Sequence, residues 1–387
     1  MYVDQKPTKP GNVPDPNGSV GDLSKERSNQ VGFTVHDTIA GALRCGGSTL
    51  AVDAVLIVGE HGEYPFNELG QHLLPRYEFF KEVTAVFRAD GRTCPVFNDK
   101  HLSWNWDWAR EMVAESRELG FTLAAGSSTP SNFRMPAIDL PLGTPVEEVM
   151  AMGPGWLDGG DLHILEILQA VAERRRGGES GVKWVEALRG ERAWTAHLAG
   201  SWERGGWSPD LYEACLCRSH TVAQVRRGFN HVLPTQEETR RILFGEETAR
   251  ARTAGKPTDS PQHTRDPVAY RWEYTDGTRG SLLLFAPLTA DWTVAVKRGD
   301  NAPDPILSFL CHSTPGPNNV YSAIHMAQAE RVFLTKDTSF RPIERTLLTG
   351  GIVTAAMHSL SSGKRESLPG LESVSYAAPA HSTFENQ

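Results

Sequence analysis

The sequence predicts an α/β chain in two parts. A parallel sheet wound with helices spans residues 1–130, and an α+β region with a mainly antiparallel sheet spans residues 131–387. Three observations predict this. Short apolar runs alternate with helically spaced segments before Pro130. That alternation stops at Pro130. An Asp-Gly hairpin signature follows in the second part. A length of 387 residues suits two such units at roughly 100–200 residues per domain.

Residues 5–30 are rich in Pro, Gly, Asn and charge and read as a surface loop. The segment from Thr34 reads as a short helix closed by Gly46 and Gly47. Leu50–Gly59 is a nearly continuous apolar run, the pattern of a strand buried on both faces. Phe80, Val83 and Phe87 give Tyr77–Asp90 helical spacing. Cys94–Phe97 reads as a second strand, Trp104–Leu119 as a helix, and Phe121–Ala125 as a third strand. Later, His163–Arg176 reads as a helix ending at Gly177-Gly178. Val182–Leu188 fits a helix or a strand, and Ala193–Leu198 fits a strand. Residues 245–268 form a polar loop. Tyr270–Tyr274 and Gly280–Ala286 make a hairpin through Asp276-Gly277. Asp291–Lys297 and Ile306–His312 read as strands, and Val320–Leu334 and Pro342–Leu360 as closing helices.

With 39 basic and 47 acidic residues, the net charge of −8 gives no support for a nucleic-acid partner, which needs a basic face. Apolar runs such as Ala51–Gly59 fall short of the ~20 residues that a membrane helix needs. The first residues carry no apolar secretion core. Five scattered cysteines fit a reducing cytoplasm rather than a disulfide framework. The expectation is a cytoplasmic protein acting on a small molecule, as a homo-oligomer.

In open α/β sheets, ligands bind beyond the carboxyl ends of the strands. Here those ends carry Gly59, Glu60, His61 and Glu63; then Asp99, Lys100 and His101; then Gly126 to Pro130. A lysine at a strand end donates to a hydroxyl, or moves protons if desolvated. His163 and Glu166 form H-x-x-E, which places both on one helix face. His61, His163 and Glu166 offer metal-type donors. With no H-E-x-x-H and no second cysteine pair, no metal is expected. Cys215 and Cys217, and Trp202 and Trp207, read as packing.

The stretches VDAVLIVGEHGEYP, PVFNDKHL and GFTLAAGSS resemble the second half of the nucleotide-binding domain of the glucose–fructose oxidoreductase / inositol dehydrogenase (Gfo/Idh/MocA) family. GWLDGGDLHILEILQAV and the tail from Phe340 resemble that family's second domain. Asp99-Lys100-His101 stands where the family has Glu-Lys-Pro. His163 and Glu166 match the end of its Asp-x-x-x-His motif and the acid three residues on. The resemblance implies a partial Rossmann-like domain, NAD or NADP as cofactor, and oxidation or reduction of a sugar-like or polyol alcohol. It places Lys100 by the nicotinamide and makes His163 the acid–base. Glu60, His61, Glu63, Asp99, His101 and Glu166 are then candidate substrate-site residues, and Asp4, Gly59 and Lys100 candidate cofactor contacts. It also implies dimer pairing through the second sheet. Two departures stand out. Gly159 occupies the position of the family's Asp, so Asp158 or Asp161 would have to substitute. No G-x-G-x-x-G occurs in the chain. Met1–Gln5 looks like the end of a strand whose Asp4 faces the adenosine ribose, and ~30–50 further residues upstream, a strand, turn and helix, are expected. Alternatives are a non-redox isomerase, epimerase or lyase on the same scaffold, or a non-catalytic relic of the fold.

Overall fold

The computed structural model describes residues 1–6, 22–59, 62–223, 233–245, 266–299, 302–311, 319–382 and 384. The first part comprises α1 (Ser24–Val31), α2 (Ile39–Leu43), β1 (Val55–Ile57), α3 (Arg76–Asp90), β2 (Val96–Asp99), α4 (Trp106–Glu118) and β3 (Leu123–Gly126). There follow β4 (Arg134–Met135), β5 (Glu148–Met152), α5 (Gly160–Ala172), β6 (Val182–Arg189), α6 (Glu191–Ala199), α7 (Pro209–Arg218) and α8 (Gln236–Phe244). The chain continues with β7 (Val268–Tyr274), β8 (Arg279–Leu284), β9 (Trp292–Lys297), β10 (Ile306–Cys311), α9 (Asn319–Thr335) and α10 (Ile343–Ser362).

β1, β2 and β3 form a parallel sheet in that order, with Val55 opposite Val96 and Val96 opposite Leu123. Phe80, Val83 and Phe87 of α3 and Met112 and Val113 of α4 are buried in its core. The sequence expectation for β1 needs correction. Val55 and Ile57 are buried, but Leu56 is 38 % and Val58 60 % exposed. β1 is an edge strand among the described residues, so only alternate side chains meet helices. The loop expected over residues 5–30 contains α1, and its residues 7–21 lie outside the described residues. Most of the expected loop over residues 245–268 also lies outside them.

The second sheet has seven strands in the order β4–β10–β9–β5–β8–β7–β6. Its pairs are antiparallel except β5 with β8. The hairpin β7–β8 turns through Asp276 and Gly277, and Gly277 at φ +90 supplies the left-handed residue. Ala193–Leu198 belongs to α6, not to a strand; Gly200 in the left-handed conformation ends that helix. One sheet face packs on α5 and α10. The other is covered by α6, α7 and α8, through Trp194, Leu211, Leu216 and Leu243 against Met150, Leu283 and Ala295. α10 packs on β3 and α4 as well as on α5 and β6, and α9 reaches β2. The last two helices therefore bind the two sheets together, with a cleft at their junction. No described helix is long and apolar enough to cross a membrane.

Candidate active site

The cleft opens at the carboxyl ends of the parallel strands and has a volume of about 380 Å³. Leu56, Val58, Asp99, Lys100, Ser128, Thr129, His163, Trp292, His325 and Met326 line it. Lys100 and His163, distant in sequence, thus share one cavity.

Local chemistry fixes Lys100. Asn98 is buried, and its amide donates to the carbonyl of His101 at 3.0 Å, which tightens the turn after β2. Lys100 adopts φ +66, a left-handed conformation that a non-glycine residue keeps only when its surroundings impose it. The Gly126 N–H donates to the Lys100 carbonyl at 2.8 Å, and the Lys100 N–H to the Gly126 carbonyl at 3.3 Å. Lys100 Nζ lies 3.1 Å from Asp99 Oδ2, and His325 Nε2 lies 2.8 Å from Asp99 Oδ1. Burial alone would raise the Asp99 carboxyl; the His325 hydrogen bond and the Lys100 charge outweigh it and hold the group well below the usual carboxylate range.

His163 sits in the first turn of α5. Asp161 builds that turn by accepting from the backbone N–H groups of Asp158, Gly159 and Leu162 and from the Tyr270 hydroxyl. His163 Nδ1 lies 2.5 Å from Ser127 Oγ. The Thr129 hydroxyl donates to the His163 carbonyl at 2.8 Å and lies 2.9 Å from Ser127 Oγ. Thr129's single hydroxyl proton is spent on the carbonyl, so Ser127's proton goes either to Thr129 Oγ1 or to His163 Nδ1. In the first case Nδ1 carries a proton and Nε2 is a bare acceptor. Burial, then the Lys100 charge, push the imidazole down to about 3, so it is neutral near pH 7. The Trp292 ring lies nearly parallel to it at 6.1 Å, with Nε1 donating to the Pro154 carbonyl.

The other residues expected from sequence fall elsewhere. Glu60 and His61 lie outside the described residues. Glu63 is exposed outside the cleft lining, its backbone N–H donating to the Gln5 side chain. His101 is buried behind Lys100, with Nε2 3.3 Å from Arg76 Nη1. Glu166 is buried beneath Gly126, accepting from the Thr349 hydroxyl at 2.8 Å, and burial raises its carboxyl. Gly59 packs on Arg76, where a Cβ would meet Cγ at 2.9 Å. Asp4 accepts from the Tyr2 and Tyr64 hydroxyls at 2.6 and 2.7 Å. Asp158 accepts from the His72 backbone N–H. Neither Asp158 nor Asp161 is among the residues that line the cleft. Cys215 is buried and Trp207 packs with Phe285 and His197. Among the described residues no three His, Cys, Asp or Glu side chains are grouped to hold a metal ion. Sequence reasoning missed His325 and Trp292. The one signal for His325 was a single histidine in the helical stretch Asn319–Thr335.

No family model matches the sequence, and no curated protein matches it. Similar solved structures include GenD2 from gentamicin A biosynthesis in complex with NAD, at 14% identity over 89% of this chain and 86% of that one, TM-score 0.49. Another is the WlbA dehydrogenase of Bordetella pertussis with NADH and UDP-GlcNAcA, at 13% identity, 89% and 86% coverage and TM-score 0.46. A third is a putative myo-inositol dehydrogenase of Sinorhizobium meliloti, at 12% identity, 89% and 88% coverage and TM-score 0.49.

Proposed function

We propose that this protein is an NAD(P)-dependent oxidoreductase acting on a sugar-like or polyol alcohol. The observation that carries the reading is the convergence of Lys100 and His163 in one cleft at the carboxyl ends of three parallel strands. Leu56 on β1 and Val58 just after it, both exposed, form an apolar wall of the same cleft and fit the flat face of a nicotinamide. No G-x-G-x-x-G for the pyrophosphate occurs in the 387 residues, so the fit concerns the reactive end of the cofactor. When bound, the nicotinamide supplies the acceptor or donor of hydride.

The chain's own groups handle the proton. Lys100 donates to the reacting oxygen and stabilises the charge that grows there as the hydroxyl proton leaves. His163 accepts that proton at Nε2 when Ser127 has turned its own proton to Thr129. Its depressed pKa keeps the ring neutral, with a bare nitrogen, near pH 7. The proton leaves again from Nε2 into the open cleft, because Ser127 and Thr129 are buried and the Thr129 proton is already held by the His163 carbonyl. In the reverse direction the same groups deliver the proton. Lys100→Ala and His163→Ala should each lower turnover by about 10²–10⁴ without loss of fold. Unchanged turnover in both would sink the reading.

A non-redox isomerase, epimerase or lyase is the second reading. The Asp99–His325 pair favours it, since it adds another proton-carrying histidine beside Lys100.

A further inference from the structure

Asp99 ends β2 with both carboxylate oxygens engaged by donors from opposite halves of the chain. Lys100 follows it directly, whereas His325 comes from α9. The carboxyl is ionised, held down by these two partners against its burial. An ionised carboxylate only accepts, so the proton in the 2.8 Å contact sits on His325 Nε2. His325 Nδ1 is buried and has no hydrogen-bond partner among the described residues. The ring is therefore oriented by Asp99 on one side and by its edge-to-face contact with Phe97, at 5.0 Å and 87°, on the other. Phe97 is fully buried in the central strand β2, so this seat is rigid.

Lysine places its ammonium on a flexible four-carbon stem. A carboxylate fixes that ammonium only if the carboxylate is itself fixed. Holding Oδ1 leaves Oδ2 in one place, and Oδ2 is the oxygen nearer Lys100 Nζ. Asp99, Lys100 and His325 all line the cleft that holds His163. The charged and titratable groups acting on His325 include Asp99, Lys100, Arg341 and, across the cleft, His163. Arg341 is pinned by the carbonyls of Ala125 and Ser127, so Asp99 is the group that His325 can orient.

We infer that His325 is a positioning residue: it fixes the Asp99 carboxylate, and through it the Lys100 ammonium in the cleft. Its effect on turnover rests on the proposed role of Lys100, but the positioning itself needs no substrate or cofactor. The test is site-resolved acylation of lysines in the full chain by a small amine-reactive ester, read by mass spectrometry. His325→Ala should raise Lys100 labelling about fivefold, equivalent to ~1 kcal/mol for a partly exposed ion pair. Labelling of Lys183, on the outer edge of β6, should not change and reports an intact fold. His325→Gln, whose amide N–H replaces the Nε2 donor, should return Lys100 towards wild type. Asp99→Asn should raise labelling alone, and adding His325→Ala to it should add nothing. Equal Lys100 labelling in wild type and His325→Ala overturns the inference. So does a further rise in the Asp99→Asn background, because the effect would then not pass through Asp99. The expected labelling pattern in a chain without dehydrogenase activity would retire the redox reading and leave the positioning standing.

Discussion

Gly126→Ala tests the floor of the cleft. Gly126 ends β3 at φ +110 and exchanges backbone hydrogen bonds with Lys100. A Cβ there would stand 2.4 Å from Thr346 Oγ1, 2.9 Å from Glu166 Oε2 and 3.2 Å from Arg341 Nη1. None of these neighbours yields cheaply. Thr346 is short and buried, Glu166 is fully buried, and Arg341 is held by two carbonyls. The positive φ costs an L-residue ~1–2 kcal/mol, and overpacking a closed core costs ~1–3 kcal/mol. The expected loss is ~2–5 kcal/mol. An unfolding entropy of about 2.1 cal/mol/K per residue over 387 residues means that 1 kcal/mol lowers Tm by about 1.2 °C if the chain melts as one unit. Gly126→Ala should therefore lower Tm by roughly 3–6 °C in calorimetry. Gly120→Ala is the control. Gly120 also has positive φ, at +67, but a Cβ there meets nothing within 4 Å. It should show the backbone cost alone, about 1–2 °C. Equal losses at the two sites would refute the packing argument.

Glu173 and Arg345 form a buried pair, each 1% exposed in its side chain, with contacts of 2.5 and 2.8 Å. Glu173→Gln leaves the guanidinium under-compensated and should cost ~3–5 kcal/mol in urea unfolding. Stability should also fall in acid. Burial holds His101, His163, His197 and His325 below the ordinary value of 6.5, His197 at about 4. The unfolded chain then binds more protons, so this stability is complete above about 6.5 and is lost as pH falls through the folded values; each histidine contributes up to ~1.4 kcal/mol per pH unit. Urea midpoints that do not fall between neutrality and pH ~5 would contradict this. Ser127→Ala removes the partner of His163 Nδ1 and should lower turnover about five- to tenfold, the worth of ~1 kcal/mol of hydrogen bonding, with KM little changed.

The parallel strands were legible because buried strands leave short apolar runs, and α3 and α4 because their buried stripes repeat at helical spacing. β5 was not legible. It is central in its sheet, yet it is five residues long, follows Pro145 and Glu147, and itself opens on Glu148. α6 was misread because Ala193–Leu198 carries aromatic and β-branched residues, whereas burial of Trp194 against α8 and the sheet holds it helical. At the site, Lys100 and His163 were visible because strand ends and helix starts mark ligand edges. His325 and Trp292 were not, since each reaches the cleft only through tertiary packing of α9 and β9. The apolar wall of Leu56 and Val58 was hidden for the same reason: the run of residues shows their apolarity and not which face stays open.

The central claim is hydride transfer between an alcohol carbon and a nicotinamide in the Lys100–His163 cleft. The most direct measurement incubates the protein with NAD or NADP and polyols deuterated at the carbinol carbons, and follows the label by mass spectrometry. Deuterium should appear on the reduced nicotinamide and not in the water, and the transfer should be lost in His163→Ala. Deuterium washing into solvent with the cofactor unchanged would contradict it and establish proton-transfer chemistry by the same groups.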